Sequence, residues 1–176
     1  MKLRILVLIA LVMGAFFAVA ERPVQAATTI TPEVINRIES RCTENLAGLN
    51  RLHQTDAFIR NNRGNLYRTI SDKLMVPLNR RLASNQLDGA ALITITSNYN
   101  AEYNRFYRAY IDYDNALSEV LDIDCKREPV AFYNALLEAR EKRIALSESN
   151  VKIKEFIRQY GTSFTEFKTK FEQDNK

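Results

Sequence analysis

One stretch of the chain, residues 92–121, constrains its fold more than any other. Large apolar or aromatic side chains recur there in steps of three or four residues. They are Leu92, Ile95, Tyr99, Tyr103, Phe106, Tyr110, Tyr113, Leu117 and Val120. A repeat that averages about 3.5 residues keeps one stripe of a helix facing its neighbours over many turns. Because aromatic rings bury large areas, this aromatic row predicts a helix at the centre of a helical core.

The segment before this helix predicts another long helix, which begins at Thr31. Thr31 is a preferred N-cap residue, and Pro32 fits the first turn because no backbone donor is needed there. Apolar side chains then recur at helical spacing as far as Leu82. Pro77 removes a backbone donor and disfavours helix at the residue before it, so we expect a bend within residues 73–77.

Two clusters of turn-forming residues, 83–89 and 122–128, predict the loops that separate three helices. The third helix is expected to run almost to the C-terminus. Gly161 and the capping-box pattern that starts at Ser163 leave a short fourth helix from residue 164 as an alternative. The sequence therefore predicts an all-α fold, an elongated, coiled-coil-like antiparallel three-helix bundle with one domain.

Residues 1–26 have the pattern of a signal peptide and are excluded from the predicted fold. Basic residues precede an apolar run, and small residues follow it. Cleavage after Ala20 or after Ala26 fits the pattern, and we expect the second because Pro23 ends the apolar helix ahead of it. The alternative is an uncleaved membrane anchor, although the run is shorter than the ~20 residues needed to span hydrocarbon. We expect residues 27–176 to be secreted or extracytoplasmic.

The positive charge of the whole chain lies largely in this leader. The chain has 25 basic and 21 acidic residues, of which residues 1–26 hold three and one, which leaves 22 against 20. The remaining charges are interspersed along the helices and form no basic stripe. Nucleic acid is therefore not an expected partner.

No residue pattern in the chain is typical of catalysis or of cofactor binding. The single histidine, His53, is interpreted as a residue that flanks the core and reaches solvent. Two distant cysteines and one histidine do not supply a zinc site, and five scattered glycines form no phosphate loop. We expect no enzyme activity, no metal and no cofactor.

The expected function is non-enzymatic and works through surfaces, as a cell-envelope spacer, adhesion component or assembly partner. The alternatives are a periplasmic holdase-type chaperone and a ligand carrier with an inter-helix pocket.

Cys42 and Cys125 are the only cysteines, and export of the chain favours a disulfide between them. If the second helix returns antiparallel to the first, a rise of ~1.5 Å per residue brings Cys125 within about one turn of Cys42. Two free thiols in an apolar stripe are the alternative. On the same arithmetic the first helix projects beyond the others, and Ile35 and Ile38 are expected to contact a protein partner, a cell-envelope partner or a second copy of the chain.

A polar layer interrupts the apolar stripe of the first helix. Its predicted members are Asp56, Arg60 and Arg63 from the first helix, Tyr110 and Tyr113 from the second, and Arg140 from the third. Because the alignment places Asp56 near the level of Arg140, we expect an ion pair between them. The structural interpretation is a device that fixes the register of the helices. The functional interpretation is a pocket for a small anionic or peptide ligand, which requires a cavity in this layer.

Several of these features together resemble a group of uncharacterised secreted helical proteins of small-genome bacteria. The matching features are the leader, residues 74–79 (LMVPLN), the pair Cys42 and Cys125, and residues 139–143 (AREKR). They span most of the mature region, but none is a motif with a chemical role. The resemblance implies an all-helical fold and an extracytoplasmic compartment, and it assigns no functional residues.

Overall fold

The computed structural model describes residues 30–175, which are helical apart from short connections and contain no strand. The helices are α1 (Pro32–Ser40), α2 (Cys42–Thr69), a π-helical turn (Ile70–Met75), α3 (Val76–Ser84), α4 (Ala90–Asp122) and α5 (Pro129–Asp174). The predicted all-α class is confirmed. The predicted leader, residues 1–26, and its cleavage sites lie outside the described residues.

The first predicted helix begins as expected but is divided early. The Thr31 hydroxyl accepts a hydrogen bond from the Val34 backbone N–H at 3.4 Å, which caps α1. Arg41 then departs from helical geometry, with φ −111° and ψ 15°, and separates α1 from α2. The expectation of an unbroken helix is wrong at this point. Neither glycine nor proline lies there, and the break falls between two buried residues, Ile38 and Cys42.

The irregularity expected within residues 73–77 lies slightly earlier, as the π-helical turn at Ile70–Met75. The Val76 backbone N–H bonds the Ser71 carbonyl, five residues back. In a regular α-helix the ring of Pro77 would clash with the carbonyl of Lys73, and that carbonyl would also lose its donor. The wider turn takes up one extra residue just before the proline, which explains why the helix continues through it as α3.

The aromatic row lies on α4 and faces the core, as predicted. Seven of its nine members are buried, and the other two, Ile95 and Tyr103, are partly buried against them. α5 continues through Gly161, so the alternative of a short fourth helix from residue 164 is wrong. Tyr160 and Phe167 pack in the same core cluster on either side of Gly161. This shared packing outweighs the ~1 kcal/mol that a glycine costs inside a helix.

The core has two clusters, one towards each end of the helices. The first contains Ile38, Cys42, Ala116, Val120, Cys125, Phe132 and Ala139. The second contains Tyr67, Met75, Leu82, Leu92, Tyr99, Phe106, Ile153 and Tyr160. Tyr110 and Tyr113 are buried between the two clusters and have polar partners. This polar segment between the clusters holds the candidate site.

The disulfide predicted between Cys42 and Cys125 is present, with the two Cα atoms 5.5 Å apart. It joins the start of α2 to the loop between α4 and α5. Ile38 lies in the same cluster and is only 9% exposed, because α1 contacts α5. The expected free projection of the first helix is therefore wrong for Ile38, whose side chain packs within its own chain.

Candidate functional site

A cleft of about 270 Å³ lies between α2 and α5, at the level of the predicted polar layer. Both helices contact α4, whereas their own backbones approach each other at few positions. The cleft is therefore open between two walls and closed below by α4. Its lining residues are Asp56, Ile59, Arg60 and Arg63 from α2, Phe106 and Tyr110 from α4, and Arg143, Leu146, Ser147 and Asn150 from α5.

We call this pocket the arginine cleft, because Arg60, Arg63 and Arg143 line it. Asp56 connects the helices on its two sides to α4. Its Oδ2 accepts a hydrogen bond from the Tyr113 hydroxyl at 2.6 Å and lies 3.9 Å from Arg143 Nη2. The short bond to the buried tyrosine is the stronger contact. The ion pair is loose, and the Arg143 side chain is more than half exposed, so its contribution to stability is small.

The predicted ion pair between Asp56 and Arg140 is wrong, because Arg143 takes that place and Arg140 is exposed. The prediction matched the levels of the Cα atoms along the helices. That arithmetic carries the level through two loops at ~1.5 Å per residue, so it locates a residue on α5 only to about one helical turn. Arg143 lies three residues, just under one turn, beyond Arg140.

Tyr110 forms the base of the cleft and is held from both sides. Its hydroxyl donates to Asp114 Oδ1 at 2.9 Å, and the same oxygen lies 3.0 Å from His53 Nε2. The guanidinium carbon of Arg60 lies 4.3 Å from the centre of the Tyr110 ring, in a cation–π contact. His53 therefore does not simply reach solvent as predicted: it is half-buried and ties α2 to α4. Sequence reasoning missed Asp114, although its four-residue spacing from Tyr110 is a signal for such a contact.

The charges that face the cleft are unequal. Arg60, Arg63 and Arg143 contribute three guanidinium groups, against the single carboxylate of Asp56. Within residues 30–175, no carboxylate lies within 4.0 Å of Arg60 or Arg63. The cleft is therefore positive and has donors that form no ion pair with a described residue.

The two tyrosines of the layer keep their protons well into the alkaline range. Burial raises the pKa of Tyr110 to about 12, and the hydrogen bond to Asp114 adds to this rise. Burial is also the main cause that raises the pKa of Tyr113, followed by its hydrogen bond to Asp56. Both hydroxyls therefore act as donors to carboxylates near neutral pH, and neither acts as a base.

The raised pKa of Tyr110 predicts a loss of stability at alkaline pH. Tyr110 is neutral in both states below its ordinary pKa of 10.0. Above it, the unfolded tyrosine ionises while the folded one keeps its proton, so stability falls by about 1.4 kcal/mol per pH unit as pH approaches about 12. Urea unfolding across this range should show a shallower decline for Tyr110→Phe. Tyr107→Phe, at an exposed position, is the control and should leave the decline unchanged.

A double-mutant cycle on Asp56 and Tyr113 tests the contact that holds α2 to α4. We expect Asp56→Ala and Tyr113→Phe to be coupled by about 1.5 kcal/mol, because a hydrogen bond to a charged group is lost in either variant. Urea unfolding of the four proteins measures the coupling, and Arg140→Ala, at an exposed position, should change stability little. Additive losses would contradict the contact.

Further buried polar contacts lie outside the predicted layer. The Tyr67 hydroxyl donates to Asn150 Oδ1, and the Ser149 hydroxyl donates to Glu102 Oε1 at 2.7 Å. On α3, the side-chain amide of Asn79 donates a hydrogen bond to the Thr96 hydroxyl at 2.7 Å. A sequence pattern does not reveal these pairs, because each joins residues from different helices. Several polar contacts, and not one layer, therefore distinguish the observed register from its alternatives.

Comparisons with known proteins add no assignment: no family model matches the chain, and no similar protein was found among curated proteins or solved structures. None of the helices between residues 30 and 175 is long and apolar enough to cross a membrane. Within that same part of the chain, no three histidine, cysteine or acidic side chains are grouped so that they could hold a metal ion. The arginine cleft and the length of the helices are the features that bear on function.

Proposed function

We propose that this chain is an extracytoplasmic, non-enzymatic helical protein that acts through its surfaces, as a cell-envelope spacer, adhesion component or assembly partner. The observation that carries the proposal is the length of α5. Its 46 residues correspond to about 69 Å at ~1.5 Å per residue. α4 packs along α5 through the most extensive contact in the fold. Long helices packed lengthwise offer a large surface relative to their core, which suits a spacer or an assembly partner.

We further propose that the helices form an elongated antiparallel three-helix bundle. Contacts of α2 and α3 with α4 and with the loop that follows it run in opposite order along the chain. They join Cys42 to Cys125, Asp56 to Tyr113, and Asn79 to Thr96. Contacts with α5 run in the same order. They join Asp56 to Arg143, Tyr67 to Asn150, and Asn79 to Tyr160. These two orders support an up, down and up arrangement.

The disulfide and the leader pattern support the extracytoplasmic part of the proposal. Disulfides persist in oxidising compartments and are rare in the reducing cytosol. The Cys42–Cys125 bond closes a separation of 83 residues and therefore belongs to the folded state as a whole. Together with the leader predicted at residues 1–26, it favours export of the chain.

Exposed apolar side chains on α5 are the proposed contact surface for a partner. Ile144 and Val151 are about 60% exposed and lie seven residues apart, so they share one face of the helix. The proposed partner is a protein, a cell-envelope component or a second copy of the chain. Large apolar residues that recur on one helix face are suited to such contacts.

Crosslinking in the native host tests this proposal. The chain with its own leader is expressed there, the cells are fractionated and mildly crosslinked, and the products are read by mass spectrometry. We expect an extracytoplasmic chain with a partner crosslinked to α5, and loss of that product in Ile144→Ser/Val151→Ser. Glu148→Ser, on an exposed polar position of the same helix, is the matched control. Recovery of the chain in the cytosol, or equal crosslinking of both variants, would contradict the proposal.

The arginine cleft favours a second candidate function, a small-ligand carrier. The cleft lies between helices at the level where the sequence predicted a polar layer, and its volume is close to the lower end of known ligand pockets, about 300 Å³. Its lining is charged, whereas a holdase-type chaperone requires an exposed concave apolar face. We therefore favour the ligand carrier over the chaperone as the alternative.

A further inference from the structure

We propose that the arginine cleft binds a small phosphate monoester whose organic part is a single ring or a short apolar group. This proposal rests on the second candidate function, the ligand carrier, and not on the surface role of α5. The residues that would hold the phosphate are Arg60, Arg63 and Arg143, together with Asn150. The residues that would contact the organic part are Ile59, Phe106 and Leu146, all of which line the same cleft.

The charge of the cleft suits a dianion. Three arginines face one carboxylate, and Asp56 is already engaged by the Tyr113 hydroxyl at 2.6 Å and more loosely by Arg143 at 3.9 Å. Two positive charges are left without a matching carboxylate in the cleft. A phosphate monoester carries close to two negative charges near neutral pH. Guanidinium groups match phosphate oxygens with paired, charge-assisted hydrogen bonds.

Arg60 is held in place before any ligand arrives. Its guanidinium carbon lies 4.3 Å from the centre of the Tyr110 ring, and that ring is fixed through Asp114 and His53. The cation–π contact uses none of the five N–H donors of the guanidinium in a conventional hydrogen bond, so they stay available to an anion. Holding the donor in advance reduces the entropy that binding would otherwise cost.

Asn150 provides a neutral donor on the opposite wall. Its Oδ1 accepts the hydrogen bond from Tyr67, so the other half of the amide, the NH₂ group, is available to an anion. Ser147 lies one turn before it on the same face of α5 and also lines the cleft. Oxygen atoms of a phosphate between α2 and α5 would therefore find donors on both walls.

The buried base of the cleft distinguishes it from a group of solvated surface arginines. Phe106 and Tyr110 are almost fully buried, so the guanidinium groups lie over a low-dielectric floor that strengthens their field. The volume of about 270 Å³ has room for a phosphate with one ring. The apolar walls favour a phosphate that bears an organic group over the inorganic ion.

Isothermal titration of the exported, disulfide-bonded chain with phenyl phosphate tests the proposal. We expect phenyl phosphate to bind the unmodified chain. Arg63→Gln should raise its Kd by about tenfold, because a charge-assisted hydrogen bond is lost. Arg63→Lys keeps the charge but not the paired geometry and should give an intermediate affinity. Arg140→Gln is the matched control, since this exposed arginine of α5 does not line the cleft. Inorganic phosphate should bind more weakly than phenyl phosphate, and phenol should not bind measurably.

Other results would overturn the proposal. Equal weakening by Arg63→Gln and Arg140→Gln would show that phenyl phosphate responds only to the overall positive charge. Binding of phenol as tight as that of phenyl phosphate would show an apolar site. Undetectable heat at about millimolar phenyl phosphate at two well-separated temperatures would show no site, because the binding enthalpy changes with temperature. Arg63 is exposed, so its substitution should leave thermal unfolding unchanged. Because the cleft does not include Ile144 or Val151, each result can be obtained independently of the crosslinking result.

Discussion

Removal of the disulfide by Cys42→Ser/Cys125→Ser is expected to lower the free energy of unfolding by about 4 kcal/mol. The bond closes a loop with a sequence separation of 83, and without it the unfolded chain gains the entropy of that loop. Urea unfolding of the oxidised chain and the double-serine variant measures the difference. The expected loss is a large share of the total free energy of unfolding, which is about 5–15 kcal/mol for a typical folded domain.

Treatment with a reductant supplies the control for this prediction. Dithiothreitol should destabilise the oxidised chain by the same amount and should leave the double-serine variant unchanged. A difference below about 1 kcal/mol would mean that the unfolded chain is already compact around this pair. Two free thiols in protein isolated from its own host would contradict the disulfide itself.

Truncation of Ile153 is the second change with a large expected effect. Ile153 is fully buried on α5 and packs in the cluster that contains Tyr99 and Phe106. Ile153→Ala should lower the free energy of unfolding by about 3 kcal/mol, because it removes buried methyl groups and leaves a cavity. Equilibrium unfolding in urea measures the loss, and thermal unfolding provides an independent check.

Val151→Ala is the matched control, two residues away on the same helix and at a position that is 61% exposed. Both changes replace a β-branched residue by alanine, so both gain the same small increment in helix propensity. We expect the control to lie within about 0.5 kcal/mol of the unmodified chain. Similar losses at both positions would contradict the burial pattern of α5.

The helices that could be predicted from the sequence are those whose apolar pattern is local and regular. The aromatic row of α4 predicted its buried face correctly, because a repeat near 3.5 residues over many turns has few alternative explanations. The break at Arg41 could not be predicted, since neither glycine nor proline lies there. The continuity of α5 through Gly161 also depends on packing, because tertiary contacts override a weak local preference.

The candidate site was predicted in its members more than in its geometry. Asp56, Arg60, Arg63, Tyr110 and Tyr113 do lie together, because polar residues in phase with an apolar stripe must meet the neighbouring helices. Their exact partners depend on side-chain direction and on how far apart α2 and α5 lie, and the sequence pattern contains neither quantity. The replacement of Arg140 by Arg143 reflects the one-turn precision of the level arithmetic, and the contact of His53 with Asp114 depends on side-chain direction.

The π-helical turn also determines which side of the helix faces the core in α3. Tyr67, Ser71, Met75 and Asn79 are all buried and follow one another at intervals of four. In a regular α-helix, twelve residues make about 1,200°, so the last of them would face about 120° away from the first. The extra residue taken up at Ile70–Met75 cancels most of this rotation. The Asn79 side chain therefore faces the core, where it forms hydrogen bonds with Thr96 and Tyr160. A chain that lacked one residue here could form a regular α-helix in which eleven residues make about 1,100°, so α3 would present nearly the same face to α4 and α5 without the π-helical turn.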